Sequence, residues 1–324
     1  MAKAVFITRK IPDIGIRMLK ERGYEVDVNL KDSVLSQKQI IKSLKKKTYD
    51  AVLVLLTDRV DSAIFNAAPS VKIYANCAAG YDNIDIIEAK KRGITVTNAP
   101  APLATEAVAE HVIALMFALA TRIVEADKFV RRGKYKKWLP MNFMGINLAG
   151  KTLGLIGAGR IGERVARLAS GLGLKVIYYD VIRNERIEKE CGVAYYNSIE
   201  ELLQKADVVS LHVPLLDSTR HLINEKRLLL MKPTSFLVNT SRGPVVDEKA
   251  LEKALRKKII RGAALDVFEF EPKVTPGLKK MDNVVLTPHI ASAEGEARNQ
   301  MAEIAAQNII DFFENGKPGN IVNP

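Results

Sequence analysis

Gly157-Ala158-Gly159-Arg160-Ile161-Gly162 decides how one half of this chain folds. A lone G-x-G-x-x-G is a weak signal. Here the apolar run Thr152–Ile156 leads into it and a helical pattern, Arg160–Ser170, leads out. The next strand pattern, Lys175–Tyr179, ends at Asp180, 18 residues after Gly162. Strand, glycine turn, helix, strand and terminal carboxylate make up the dinucleotide-binding arrangement. Gly157 permits the tight turn, Gly159 lets a pyrophosphate approach the backbone, and Gly162 lets helix and strand pack closely. The helix start offers unpaired N–H groups and a positive dipole end to the phosphates. Asp180 is suited to hydrogen-bond ribose hydroxyls and to repel a 2′-phosphate, which favours NAD and leaves NADP possible.

Working outward, short apolar runs alternate with helical stretches almost from end to end. After the glycine turn come Ala194–Tyr196, Val208–Val213, Ser235–Thr240, Ala263–Phe268 and Val284–Thr287. Before it lie Ala4–Thr8, Tyr24–Val28, Ala51–Leu55, Val71–Ala75 and Ile94–Thr97, with helices such as Asp13–Arg22 and Ile84–Arg92 between them. Such a rhythm predicts parallel sheets covered on both faces. One long helical pattern, Leu103–Val130, separates the two series, with Thr105 as a candidate N-cap. The fold class is therefore α/β, with two doubly wound parallel-sheet domains. The last helix, 293–315, is expected to cross back onto the first.

Composition narrows the function classes. Of 324 residues, 48% are hydrophobic and 27% charged, which excludes disorder, collagen and coiled coil as the main architecture. No uncharged apolar run of 18 residues occurs, so no transmembrane helix and no membrane partner is expected. The stretch Met1-Ala2-Lys3-Ala4-Val5-Phe6-Ile7 reads as a first strand and not as a signal peptide. Cys77 and Cys191 are expected as reduced thiols in a cytoplasmic protein. The net charge of +12 is spread over runs such as 45–47 and 131–137 without the framing of a nucleic-acid reader, so no nucleic acid is expected. Four histidines and two distant cysteines supply no metal-ligand spacing, so no metal is expected.

Three ionisable residues follow successive strand patterns: Arg242 in Asn239-Thr240-Ser241-Arg242-Gly243, Glu271 in Phe268-Glu269-Phe270-Glu271-Pro272, and His289 in Thr287-Pro288-His289. Residues beyond the carboxyl ends of parallel strands converge on the ligand crevice. Arginine offers a fork of donors that matches a carboxylate. Histidine exchanges protons near neutral pH, and a neighbouring carboxylate favours its charged form.

With Ala79-Gly80-Tyr81-Asp82-Asn83-Ile84-Asp85 and Leu211-His212-Val213-Pro214-Leu215, these motifs make the chain resemble the D-isomer-specific 2-hydroxyacid dehydrogenases over essentially its whole length. Within that family it is most similar to the glyoxylate/hydroxypyruvate reductases. The resemblance implies a Rossmann NAD domain (100–288) inserted in a flavodoxin-like substrate domain (1–99 plus 289–324). It implies hydride exchange between nicotinamide and a small 2-keto or 2-hydroxy acid. Arg242 would hold the substrate, His289 would carry the proton, and Glu271 would pair with His289. Backbone N–H groups at Ala79 and Gly80 would grip the substrate carboxylate. Cofactor contacts would fall to Thr105, Ala158, Arg160, Ile161, Asp180, Pro214, Thr240 and Asp266, with Asp266 facing the nicotinamide amide. Family members typically form a two-fold dimer, which implies a homodimer built on the long helix and the 133–150 loop.

Other readings stay beside this one. A D-3-phosphoglycerate dehydrogenase shares the catalytic set, although the chain to Pro324 leaves no room for the regulatory domain of longer members. Phosphite oxidation is disfavoured, because that relative has lysine where this chain has Ala79. A corepressor-like NAD-sensing scaffold shares the fold, but its long disordered tails have no counterpart here. His111 is expected to be a packed or polar-face residue, and His221 a surface or packing one. For His212, cofactor contact and packing are equally open. Trp138 is open between the substrate pocket and core or interface packing.

Overall fold

The structure, a computed structural model, describes residues 2–31 and 33–324; Met1, where the first strand pattern begins, lies outside them. The chain divides into two units, Met1–Ala104 with Ala293–Pro324, and Thr105–Ser292.

The first unit is built on β1 (Ala4–Ile7), β2 (Glu25–Val28), β3 (Ala51–Val54), β4 (Ile73–Asn76) and β5 (Thr95–Thr97). They form one parallel sheet in the order β2-β1-β3-β4-β5. This is the flavodoxin-like order. β1 and β3 are buried along their whole length, as their unbroken apolar residues require, and β4 is buried as well, ending in the polar Asn76. The helix Gly295–Glu314 does cross back, packing on β4 and on the helix Asp13–Glu21. Gly15 makes that crossing possible, since a Cβ there would sit 2.7 Å from the Ala302 carbonyl oxygen.

The second unit holds β6 (Thr152–Ile156), β7 (Lys175–Tyr179), β8 (Ala194–Tyr195), β9 (Val208–Leu211), β10 (Phe236–Asn239), β11 (Gly262–Leu265) and β12 (Val284–Leu286). Its parallel sheet runs β12-β11-β10-β9-β6-β7-β8. Strand order reverses between β6 and β9, the switch point of a Rossmann sheet, and the glycine turn follows β6. Buried Leu155, Tyr178, Val208, Val238 and Ala264 pack beneath one face. Each large side chain so buried contributes roughly 1.5–3 kcal/mol.

The single long helix expected over 103–130 is two helices, Pro102–Ala120 and Ile123–Arg131. Thr121 Oγ1 turns back to the Phe117 carbonyl at 2.6 Å, and Arg122 takes the left-handed conformation with φ 60°. Its guanidinium then clasps Glu125 in the next turn. Thr105 is not the N-cap: Pro102 takes the first helical position, where its missing N–H costs nothing, and Thr105 lies within the helix. By length and composition Pro102–Ala120 could cross a membrane. Its Ala109, Val112, Leu115, Met116 and Leu119 are instead buried among residues of the second sheet.

Several strands end one or two residues short of the apolar run. The residues released from the ladder, His212, Thr240 and Thr287 among them, turn into the loops that form the site. The unit limits, 104/105 and 292/293, fall slightly beyond the expected 99/100 and 288/289. His289 consequently belongs with the second sheet, to which its N–H is bonded through the Asp266 carbonyl at 2.8 Å.

Candidate active site

Gly157 leaves β6 with φ 99°, and a Cβ there would lie 2.6 Å from the His212 carbonyl oxygen. At Gly162 a Cβ would meet the Gly157 carbonyl. Gly159 differs: a Cβ there would meet nothing within 4 Å, so the turn opens at the glycine expected to face a pyrophosphate. The helix Arg160–Gly171 starts directly at Gly159 with no side-chain cap, which leaves its first N–H groups for a ligand. Arg160 is exposed and Ile161 half-buried at that start.

Asp180, just past β7, accepts from the Ala158 N–H at 2.6 Å, and Asn184 Nδ2 donates to the Ala158 carbonyl at 3.0 Å. Both backbone polar groups of Ala158 are thus used within the protein. Arg183 is held by Glu188 through two bonds of 2.8 and 2.7 Å. Thr240, beyond β10, is buried with a hydroxyl that has no protein partner. An orphaned buried hydroxyl costs free energy unless a ligand satisfies it. The open glycine turn, the uncapped helix and this hydroxyl all fit a dinucleotide. Pro214 follows β9 and is exposed, with its carbonyl taken by Thr219 Oγ1 at 2.6 Å. His212 lies under the glycine turn, 2.9 Å from Ser210 Oγ, and burial pushes its imidazole down to about 4. It packs there uncharged at neutral pH.

Beyond the carboxyl ends of β10 to β12 stand the three ionisable residues. Buried Asn239 shapes the Arg242 turn, giving a bond to the Arg242 carbonyl at 2.9 Å and accepting from the Ser241 N–H and hydroxyl. Arg242 Nη1 donates to the Ser241 carbonyl at 2.8 Å. Gly243 lets this turn lie against the next, because a Cβ there would run into the Phe268 carbonyl. Glu271 Oε1 accepts from the Phe268 N–H at 2.9 Å, and Oε2 lies 3.0 Å from His289 Nδ1. Desolvation pushes the Glu271 carboxyl up. The His289 ring, the Phe268 N–H and the charge of Arg242 together outweigh it and hold the carboxyl below the usual range.

His289 itself has φ 54°, a left-handed conformation uncommon outside glycine, although histidine adopts it more often than most residues. Asp266, 0% exposed, holds it there. Its carboxylate accepts from Thr287 Oγ1 at 2.7 Å and from the N–H groups of Ile290 and Ala291 at 2.9 Å each. His111 approaches from behind, 3.2 Å from Thr287 Oγ1 and 3.6 Å from Asp266 Oδ1. His111 is therefore neither simply packed nor on a polar face; it backs the turn that carries His289. His221 is likewise engaged, with Nε2 2.7 Å from Glu269 Oε1. No local spacing signals either contact.

In the first unit, Ala79 and Gly80 follow β4. Asn98 Nδ2 donates to the Ala79 carbonyl at 2.6 Å and Asn76 Nδ2 to the Gly80 carbonyl at 2.8 Å. Both carbonyls of this turn are thus held by side chains of the first unit. Buried Cys77 has its thiol pushed up to about 12 by desolvation, so it is no nucleophile. Among the described residues no group of three or more His, Cys, Asp and Glu side chains could hold a metal ion. A cavity of about 530 Å³ in the second unit, lined by Phe236, Lys258, Arg261 and Asp282, opens at the amino ends of β10–β12. It lies on the opposite edge from these loops and takes no part in the site.

Residues 113–291 match the family model of the D-isomer specific 2-hydroxyacid dehydrogenase NAD binding domain. The chain is 51% identical over 326 residues to the glyoxylate reductase of Korarchaeum cryptofilum, covering 100% of this chain and 96% of that one. Among solved structures it resembles an NADPH-dependent glyoxylate/hydroxypyruvate reductase of Sinorhizobium meliloti, in complex with NADP and malonate. That match has TM-score 0.86 and 30% identity, covering 99% of this chain and 97% of the other. It also resembles a D-lactate dehydrogenase of Aquifex aeolicus, complexed with NAD and lactic acid. There the TM-score is 0.84 and the identity 32%, covering 99% of each chain.

Proposed function

The chain belongs to the D-isomer-specific 2-hydroxyacid dehydrogenase family and reduces 2-keto acids to D-2-hydroxy acids with NAD(P)H; from that premise we propose that Arg242, Glu271 and His289 carry the reaction, with glyoxylate and hydroxypyruvate as substrates. The observation that carries the reading is the 3.0 Å contact between Glu271 and His289 Nδ1, beside Arg242 and beyond the strand ends. The choice of glyoxylate rests on the activity named for the relative at 51% identity, and that of hydroxypyruvate on the name of the Sinorhizobium meliloti reductase.

When bound, the nicotinamide supplies a hydride to the carbonyl carbon. The Arg242 fork holds the substrate carboxylate and its carbonyl oxygen; the Ala79 and Gly80 N–H groups of the substrate domain are the further candidates for gripping a carboxylate. Glu271 keeps Nδ1 of His289 in place, so Nε2 delivers the proton to the ketone oxygen as it becomes an alkoxide. In the oxidative direction the same nitrogen takes that proton back. The first N–H groups of the helix beginning Arg160-Ile161-Gly162, the opening at Gly159 and the hydroxyl of Thr240 cradle the dinucleotide, with Thr105 and Pro214 along its edge. Asp266 meets the nicotinamide amide only with lone pairs left over from its three internal bonds.

Asp180 supports a preference for NADH, because its charge opposes a 2′-phosphate and Arg183, the nearby cation, is engaged by Glu188. With glyoxylate, hydroxypyruvate and pyruvate each assayed with both cofactors, the first two are expected to turn over fastest. kcat/KM is expected to be at least about tenfold higher with NADH, about 1.4 kcal/mol. Equal or better use of NADPH removes the role given to Asp180; faster turnover of pyruvate removes the substrate assignment.

We further propose a cytoplasmic homodimer. Tyr135, Trp138, Leu139, Met141 and Met144 expose apolar surface along one loop, with Trp138 76% exposed. A patch of this kind marks an interaction surface. Light scattering at micromolar concentration is expected to give a dimer, and Trp138→Ser with Met141→Ser to weaken it. A wild-type monomer overturns the assembly.

A further inference from the structure

Behind the Glu271–His289 pair lies a buried carboxylate that the mechanism does not use. Glu248 opens the helix Glu248–Arg256 and is 1% exposed. Among the described residues it makes no ion pair. Its oxygens accept instead from three uncharged donors on a single loop: Oε1 from the Glu269 N–H at 2.6 Å, and Oε2 from the Thr275 N–H at 3.2 Å and the Thr275 hydroxyl at 2.5 Å. Glu269 answers in kind, its Oε2 accepting from the Glu248 N–H at 3.2 Å while its Oε1 faces His221 Nε2. A carboxylate at the first turn of a helix is favoured on the surface as well, where the dipole stabilises it and water solvates it. Burying it is costly unless its oxygens are hydrogen-bonded, and here the loop supplies those donors.

Those bonds fasten both ends of the segment 269–275. Between the two anchors, Phe270 is 59% exposed and Glu271, Pro272 and Lys273 are exposed. The Lys273 N–H closes a turn on the Phe270 carbonyl at 2.8 Å, and Glu271 adds one bond to the Phe268 N–H. The place of the Glu271 carboxylate, and so the 3.0 Å contact with His289, depends on where the ends of this short loop are held.

We propose that Glu248 is a positioning residue for the reaction: by clamping residues 269 and 275 it sets the Glu271 carboxylate against His289. The proposal rests on the role given above to Glu271. In Glu248→Gln the side chain keeps its shape but presents an NH₂ group to one set of donors, so one anchor is lost. A small displacement of a catalytic group costs about 10- to 100-fold in rate. kcat for keto-acid reduction is expected to fall within that range while the KM for NADH stays within about twofold. The alkaline limb of the reductive pH profile should move toward that of Glu271→Gln. Thr275→Val, which removes one hydroxyl without changing shape, should move both readings the same way by less, and it carries the test if Glu248→Gln does not fold.

The deciding measurement is the double-mutant cycle. Glu248→Gln introduced into Glu271→Gln should cost nothing further, because the group it positions is already disabled. An equal loss in both backgrounds overturns the proposal, as does a wild-type profile in Glu248→Gln and Thr275→Val while Glu271→Gln shifts its own. If Glu271→Gln leaves the profile in place, the role of Glu271 fails first, and the clamp has nothing to position.

Discussion

His289→Ala is expected to lower kcat for keto-acid reduction by about 10²–10⁴-fold, the contribution of a well-placed general acid. Affinity for NADH should be nearly unchanged, because the glycine turn and Asp180 lie on other loops. Glu271→Gln then separates proton delivery from ring placement. Reduction takes a proton from the ring and oxidation returns one to it, so the two directions depend on pH in opposite senses. Removing the negative charge 3.0 Å from Nδ1 withdraws an attraction for the charged ring. The alkaline limb of reduction in Glu271→Gln should therefore move to lower pH. The acid side depends on Glu271 itself, whose carboxyl is held below its usual range. The wild-type pairing persists below the ordinary glutamate value of about 4.3, and its stability contribution disappears only as pH falls through the depressed value. A His289→Ala enzyme that keeps most of its turnover would move the proton donor elsewhere and undo the assignment.

Arg242→Lys should have the next largest effect. Lysine keeps the positive charge but replaces a planar fork by a single mobile point, so carboxylate and carbonyl oxygen are no longer held together. Loss of a charge-assisted bond of this type costs about 1.5–3 kcal/mol, which is about 10- to 150-fold in kcat/KM for the keto acid. The fold should survive, because Asn239 and Gly243 shape the turn and the guanidinium adds to it a single bond, to the Ser241 carbonyl. Steady-state kinetics with glyoxylate and a thermal melt test both halves: unchanged kinetics with a lowered melting temperature would make the arginine structural.

Residues close together along the chain are the ones whose placement can be read from it. The strand leading into Gly157, the helix leaving Gly159 and the carboxylate at Asp180 are neighbours in one local motif. Arg242, Glu271 and His289 were legible because each follows a recognisable apolar run, and a parallel sheet gathers such positions at one edge. His111 gave no such signal: it lies on an apolar helix, and its partner Thr287 is 176 residues away. The resemblance implies Asp266 as a nicotinamide contact, yet three of its bonds serve the turn around His289. The helix break at Arg122 was hidden because residues 103–130 keep a helical pattern on both sides of it.

The sequence by itself determined two parallel sheets, the strand that carries the glycine turn, the choice of a dinucleotide and the three residues at the strand ends. Hydrophobic period, turn chemistry and short motifs are local properties, and local properties survive in one dimension. The tertiary structure alone decided that His289 stands in a left-handed conformation braced by Asp266, that the helical stretch breaks at Arg122, and that Glu248 fastens the loop carrying Glu271. Each of these depends on where a buried polar group finds its partner. A buried carboxylate has to be satisfied by whichever donors the packed core brings within about 3 Å, and the linear chain carries no record of which those will be.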